Sequence, residues 1–212
     1  MTTEIPPVLH RVLLPPLLDS GAVRRNWRRF ARLHPQWDLR TWSHFSHQAF
    51  PETYDALRRC ASPAQQADLM RLEILWREGG VYVDTDCEPV RSLDPLRTLG
   101  CFFGSEDGEH YSTGVIGAVA GHPAIRAYLD GVLDGDRVGA GLPPNEATGP
   151  VFATEILRGR ADVTLLGSEA FYPEPFADST RRFRRSRRRL SGPGTYVVHR
   201  WAHSWRDTNP PG

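Results

Sequence analysis

Residues 62–90 read SPAQQADLMRLEILWREGGVYVDTDCEPV: a capped helix, a double-glycine stop, a short apolar run and two aspartates one residue apart. Ser62 is placed as an N-cap, Pro63 takes the first helical position, and Gln65 completes a capping box. Gly79 and Gly80 end the helix. VYVD (81–84) then reads as a short buried strand. Working outward, further strands are expected at 5–14, 37–43, 101–105, 113–120, 161–166 and 195–199. Helices are expected at 22–33, 48–60, 122–133 and 150–157. Strands alternating with helices point to an α/β fold with a mainly parallel central sheet flanked by helices. The 212 residues suit one domain. Within it, GAGLPPNEATGP (139–150) is a Gly/Pro-rich loop and STRRFRRSRRRLSGPG (179–194) a basic one.

On a helical wheel with Asp68 at zero, Ala64, Leu75, Leu72, Trp76 and Leu69 fall between roughly −40° and +100°. Asp68 therefore lies inside the apolar arc, with Arg71 near its edge. A carboxylate on a core-facing stripe is costly unless paired. Two readings stay open: an i,i+3 salt bridge at a helix border, or a pair of side chains pointing into a polar pocket at the edge of the core.

Residues two apart in a strand share a face, so Asp84 and Asp86 converge if the extended backbone continues past the strand end. Two adjacent carboxylates repel each other unless a cation intervenes. All-oxygen ligation suits Mg²⁺ or Mn²⁺, which accept substrate phosphates as further ligands. Ligands of open α/β sheets also bind beyond the carboxyl ends of strands. A bare Asp-Thr-Asp is most simply a solvated turn. Here the strand, the capped helix and the acid upstream favour a metal site.

AQQADLMRLEILWREGGVYVDTDCEPVRSLDPL (64–96) resembles the sugar-binding, D-x-D-containing region of family 32 glycosyltransferases. That group holds yeast-type initiating mannosyltransferases and bacterial capsule enzymes, with distant similarity to the glucosyltransferase domains of clostridial toxins. The matching residues are Asp68, Arg71, Gly79, Gly80, Tyr82, Asp84 and Asp86. IPPVLHRV (5–12), NWRRFARLHPQWDLRTW (26–42), ATGPVFATEIL (147–157), FYPEPF (171–176) and VVHRWAHSW (197–205) are similar to the family's other landmarks, in the same order.

The resemblance implies a single GT-A-type domain over 1–212 with a Rossmann-like sheet. It implies retaining transfer of a hexosyl unit from a UDP- or GDP-linked sugar, with Mn²⁺ or Mg²⁺ on the diphosphate. It casts Asp68, Arg71 and Asp86 in catalytic roles. His10, Tyr82, Asp84, Ser204 and Trp205 would bind the donor; Asp84, Asp86 and His199 would hold the metal. Three departures stand out. His10-Arg11-Val12-Leu13 lacks the aromatic the family often places near the nucleobase. Ser112-Thr113-Gly114 stands where an Asn is frequent. His203 takes a place that is often small in the family.

The remaining composition mostly excludes. The net charge of +1 gives no general argument for nucleic-acid binding. Every basic residue is arginine, which rules out a lysine Schiff base or a P-loop lysine. Three scattered cysteines (Cys60, Cys87, Cys101) form neither a disulfide framework nor a zinc pattern, and suit a reduced, cytosolic setting. No apolar run approaches roughly 18 residues, and the first residues do not read as a signal peptide. The seven arginines of 181–189 are either a solvated loop or a contact with anionic lipid at the inner membrane face, or with an acidic acceptor. The acceptor itself is open among glycan, lipid-linked sugar, peptide and small metabolite. Two other classes compete. A haloacid-dehalogenase-like phosphatase also has D-x-D after a strand, but with Thr or Val where Glu88 stands. A degenerate transferase would bind a nucleotide sugar without turnover.

Overall fold

A computed structural model describes residues 3–15, 20–135, 137–174 and 190–201. The chain runs β1 (Val8–Val12), α1 (Gly21–Leu33), β2 (Asp38–Trp42), α2 (Tyr54–Arg59), α3 (Pro63–Glu78), β3 (Gly80–Val83) and β4 (Cys87–Pro89). A 3₁₀ turn (Asp94–Leu99) leads to β5 (Cys101–Gly104) and β6 (Ser112–Ala118). Then come α4 (Pro123–Asp134), α5 (Pro144–Ala147), α6 (Pro150–Leu157), β7 (Thr164–Leu166), α7 (Ser168–Phe171) and β8 (Val197–His199).

Six strands form the central sheet in the order β2-β1-β3-β6-β5-β7. β1 is parallel to β2 and to β3, β5 is parallel to β7, and β6 alone runs against its neighbours. The chain steps from β1 to β2 on one side, then returns through α3 to β3 on the other. The order therefore reverses between β1 and β3, and the crevice beyond their carboxyl ends is where such sheets bind ligands. Asp84 and Asp86 lie there.

Alternation along the strands divides the core into two faces. Tyr82, Phe103 and Ile116 join Leu69, Leu72, Leu75, Tyr128 and Phe152 of α3, α4 and α6 on one face. Val81, Val83, Phe102 and Val115 join Phe30 of α1 and Phe171 of α7 on the other. Ser62 caps α3 as expected, its hydroxyl accepting from Gln65 N–H at 3.3 Å. The stop that follows is fixed by space as well as by φ. Gly79 and Gly80 have φ of 65° and 98°. A Cβ at Gly79 would sit 2.6 Å from Ala120 N, and one at Gly80 2.7 Å from Val8 O. The helix thus enters the sheet only through residues without a side chain.

Three expectations change. Only Tyr54–Arg59 of the helix expected at 48–60 is helical; Pro51 disfavours helical backbone at the residue before it and leaves turns there. The loop at 139–150 contains the one-turn helix α5. Cys87–Pro89, expected as the tail of the motif, is a strand of a second sheet, pairing antiparallel with β8 so that Cys87 lies opposite His199. Among the described residues no helix is long and apolar enough to cross a membrane.

Candidate active site

β3 delivers Asp84 at its carboxyl end, and a tight turn closed by Cys87 N–H to Asp84 O (3.1 Å) presents Asp86 beside it. The Asp84 N–H donates to Gly114 O of β6 at 2.8 Å. β8 then brings His199 across. Its Nε2 lies 3.3 Å from Asp84 Oδ2 and 3.3 Å from Asp86 Oδ1. Gly114 makes this approach possible: a Cβ there would stand 2.9 Å from His199 Nε2 and 3.0 Å from Asp84 Oδ2.

These three donors fit a hard divalent cation. Adjacent ligands of an octahedral ion bound at 2.0–2.1 Å lie roughly 3 Å apart, close to the 3.3 Å from His199 Nε2 to a carboxylate oxygen of each aspartate. The Trp201 backbone N–H donates to His199 Nδ1 at 3.3 Å, which favours the Nε2–H tautomer facing the carboxylates; ligation of a cation through Nε2 would move the ring proton to Nδ1 and give up this bond. Burial works against a charged His199, but Asp86 and Asp84 outweigh it and raise its pKa. Burial likewise opposes ionisation of Asp84, and Arg71, His199 and Tyr82 outweigh it, holding its pKa below the ordinary value. Two carboxylates thus gather positive charge around themselves, and a bound cation would take the place of the imidazole proton. Cys87 joins Asp86 and His199 in a trio with donor atoms within 4.8 Å of one another. Burial, then Asp86 and Asp84, push its thiol well above the ordinary pKa, which leaves it a protonated core residue.

A second layer lies behind Asp84. Arg71 Nη2 is 2.8 Å from Asp68 Oδ1 and 3.4 Å from Asp84 Oδ1, its Nη1 donates to Thr113 O, and its guanidinium lies 4.4 Å over the Tyr82 ring. Both readings of the Asp68–Arg71 pair therefore hold at once. They form the i,i+3 salt bridge, and they do so buried, at 8% and 5% exposure, facing the site. The Thr148 hydroxyl donates to Asp68 Oδ2 at 2.7 Å, which gives the ATGP stretch a direct role. Burial pushes the Asp68 carboxyl up to about 6, against the pull of Arg71 and Thr148. Tyr82 is buried and donates its hydroxyl to Asp84 Oδ1 at 2.9 Å, so it braces Asp84 from beneath.

The fold thus brings together Asp68, Arg71, Tyr82, Asp84, Asp86 and His199. It places His10 elsewhere. His10 is fully buried, with Nε2 donating to Gly79 O at 3.0 Å and Nδ1 accepting from Trp42 Nε1 at 3.3 Å. Both ring nitrogens are spent inside the fold, and the expected donor contact has no free atom to make it. Ser204, Trp205, His203 and the arginines of 181–189 lie outside the described residues.

Sequence reasoning also missed a cleft beside Asp84 and Thr85, lined by Arg11, Asn26, Trp27 and Val83. The Arg11 guanidinium lies 4.4 Å over the Trp27 ring, and its Nε donates to Thr41 Oγ1 at 2.9 Å. Trp27 of α1 thus stands against Arg11 of β1. Only contact across 16 residues of chain reveals it.

Residues 21–102 match the family described as glycosyltransferase sugar-binding region containing DXD motif. The matched segment includes Asp84-Thr85-Asp86, a DXD motif. A mannosyl phosphorylinositol ceramide synthase of Saccharomyces cerevisiae is 29% identical over 129 residues, 57% of this chain and 34% of the yeast protein. The chain thus spans about a third of the length of that curated relative. The PaToxG glycosyltransferase shares the fold at a TM-score of 0.57 and 16% identity, over 73% of this chain and 69% of that one. The galactosyltransferase LgtC, solved with donor and acceptor sugar analogs, does so at 0.53 and 12%, over 92% of this chain and 87% of that one. The fold around the DXD motif is GT-A.

Proposed function

We propose that this chain is a metal-dependent, retaining glycosyltransferase that moves a hexosyl unit from a UDP- or GDP-linked sugar to an acceptor. The observation that carries the reading is the convergence of Asp84, Asp86 and His199 at the strand-order reversal of a GT-A sheet. Mn²⁺ or Mg²⁺ held there would supply Lewis-acid stabilisation of the charge that builds on the departing diphosphate. The protein's own part is placement. Arg71 fixes Asp84 from behind, Asp68 fixes Arg71, and Thr148 fixes Asp68. In retaining transfer by same-face attack the acceptor needs no strong protein base.

The test is nucleotide release from a panel of UDP- and GDP-sugars with Mn²⁺. Wild-type protein should release one nucleotide class, and Asp86→Ala should lose turnover by at least a hundredfold. Equal turnover by that variant would overturn the metal assignment. Release of phosphate from an aryl phosphate with no sugar nucleotide would favour the phosphatase reading.

On the acceptor side, the yeast relative is named for a phosphorylinositol ceramide, a lipid with an anionic headgroup. Helix α1 suits such a surface. It holds no acidic residue, and Arg24, Arg25, Arg28 and Arg32 are exposed within a single arc of about 100°. The opposite face, through Asn26 and Trp27, lines the cleft. The reading places the enzyme in the cytoplasm, peripheral to the inner membrane face.

A further inference from the structure

Glu88 follows the DXD motif but belongs neither to it nor to the central sheet. It is the middle residue of β4, whose only strand partner among the described residues, β8, ends on His199. Its two oxygens hold arginines from opposite ends of the chain. Oε1 accepts from Arg29 Nη1 of α1 at 2.7 Å. Oε2 accepts from Arg200 Nη2 and Nε at 2.6 and 3.1 Å. The same Arg200 reaches Glu174 Oε2 through Nη1 at 3.4 Å. Burial works against the Glu88 charge, and Arg200 and Arg29 outweigh it, so the carboxylate stays ionised.

The position of Arg200 gives this clamp its meaning. Arg200 directly follows His199 and directly precedes Trp201. β8 has three residue pairs to β4 and lies outside the six-stranded sheet. Trp201 has a φ of 50°, a left-handed conformation that a bulky residue adopts only when its surroundings impose it. Its ring nitrogen is held by Glu174 O at 2.8 Å. His199 therefore sits between a minimal ladder and a strained residue, and the Glu88–Arg200 pair is the fixed point between them. Glu88 is two residues from Asp86, and Arg200 is one from His199. This ion pair thus ties the residue after Cys87 to the residue after His199, beside the backbone pairing of Cys87 with His199.

We propose that Glu88 is a positioning residue that holds Arg200 and, through it, sets His199 Nε2 against Asp84 and Asp86. The arm to Arg29 serves the wall of the cleft and leaves His199 unaffected. This rests on the metal-site reading of the same three residues. Residues one layer behind metal ligands commonly tune affinity by 10–100-fold, which sets the scale expected here.

The experiment is a titration with Mn²⁺, alone and with UDP or GDP present, reading free Mn²⁺ by electron paramagnetic resonance alongside urea unfolding. Glu88→Gln should weaken Mn²⁺ binding by about tenfold while the urea midpoint stays near wild type. Arg200→Gln should match it and stands in for it if Glu88→Gln cannot be recovered folded. The double variant should fall well short of the sum of the two single losses, because both single variants remove the Glu88–Arg200 pair. Arg29→Gln should stay within about twofold of wild type, on the scale of a residue not behind the ligands. Unchanged affinity in Glu88→Gln, additive losses in the double variant, an equal loss in Arg29→Gln, or a loss that merely tracks the unfolded fraction would each overturn the assignment. If wild-type protein binds no Mn²⁺ under any of these conditions, the metal-site reading fails and takes the proposal with it.

Discussion

Gly114 shows how much of the site is empty space. Its missing side chain leaves room for His199 and Asp84 to meet over the β6 backbone, and a methyl group there would stand 2.8 Å from His199 Cδ2. Gly114→Ala should therefore displace the imidazole or the carboxylate. Mn²⁺ affinity should fall by at least tenfold, the scale of a ligand-orienting change, while far-UV circular dichroism stays that of wild type. Equal Mn²⁺ binding would mean that His199 approaches the aspartates by another route. His10 supports a prediction of a different kind. Burial lowers its pKa from 6.5 to about 4. The unfolded chain therefore binds a proton between those values that the folded chain refuses, and stability falls as pH drops through that window. The full effect is ~3 kcal/mol, because each tenfold loss of proton affinity corresponds to about 1.36 kcal/mol. Urea unfolding of wild type and His10→Gln should diverge below pH 6.5, wild type losing more. Parallel curves would show that His10 titrates normally in the fold.

At the scale of elements, what could be read from the sequence was what local chemistry fixes. Ser62, Pro63 and the glycine pair set both ends of α3, and the buried run after them set β3. Asp68 was legible as an acid on an apolar face because the wheel needs only its own helix. β4 was not legible: three residues, Cys-Glu-Pro, carry no periodicity, and their partner lies 110 residues downstream. The Glu88 clamp and the Arg11–Trp27 contact were hidden for the same reason, since both are made by strands and helices that meet only after folding. His10 was misplaced because a strand histidine beside a motif looks alike whether it faces the crevice or the glycines of the next strand.

Helix α1 carries its own prediction. Arg24 and Arg25 stand near the positive end of the helix dipole with no acid in the first turn, an arrangement that costs a few tenths of a kcal/mol. A stripe kept against that cost suits an external anionic partner. Each basic residue near an anionic bilayer contributes about 1 kcal/mol. Sedimentation with phosphatidylserine-containing vesicles should therefore fall by more than tenfold in Arg24→Gln/Arg28→Gln/Arg32→Gln and vanish in high salt. Neutral vesicles should not bind. Undiminished binding by the triple variant would remove α1 from the membrane contact.

The whole molecule has two sheets of unequal size. The six-stranded sheet is packed by helices on both faces, while the β4–β8 pair has one short ladder, an ion-pair clamp, and Cys87 and Val197 set into the core beside Phe30 and Phe171. Yet the metal donors are split across that divide, with Asp84 and Asp86 at the end of the large sheet and His199 on the small one. A ligand that bridges both stabilises the weaker part most, because it binds only when that part is closed. Hydrogen exchange should therefore slow at Val197–His199 when Mn²⁺ and the correct nucleotide are added, by about a hundredfold when the ligand stands at a hundred times its dissociation constant. The amides of β3 and β6 should change far less, since their opening already requires unfolding of the sheet. EDTA should reverse the effect, and Asp86→Ala should not show it. Equal slowing throughout the chain would indicate one cooperative unit and remove the basis for treating closure of β8 as a separate step.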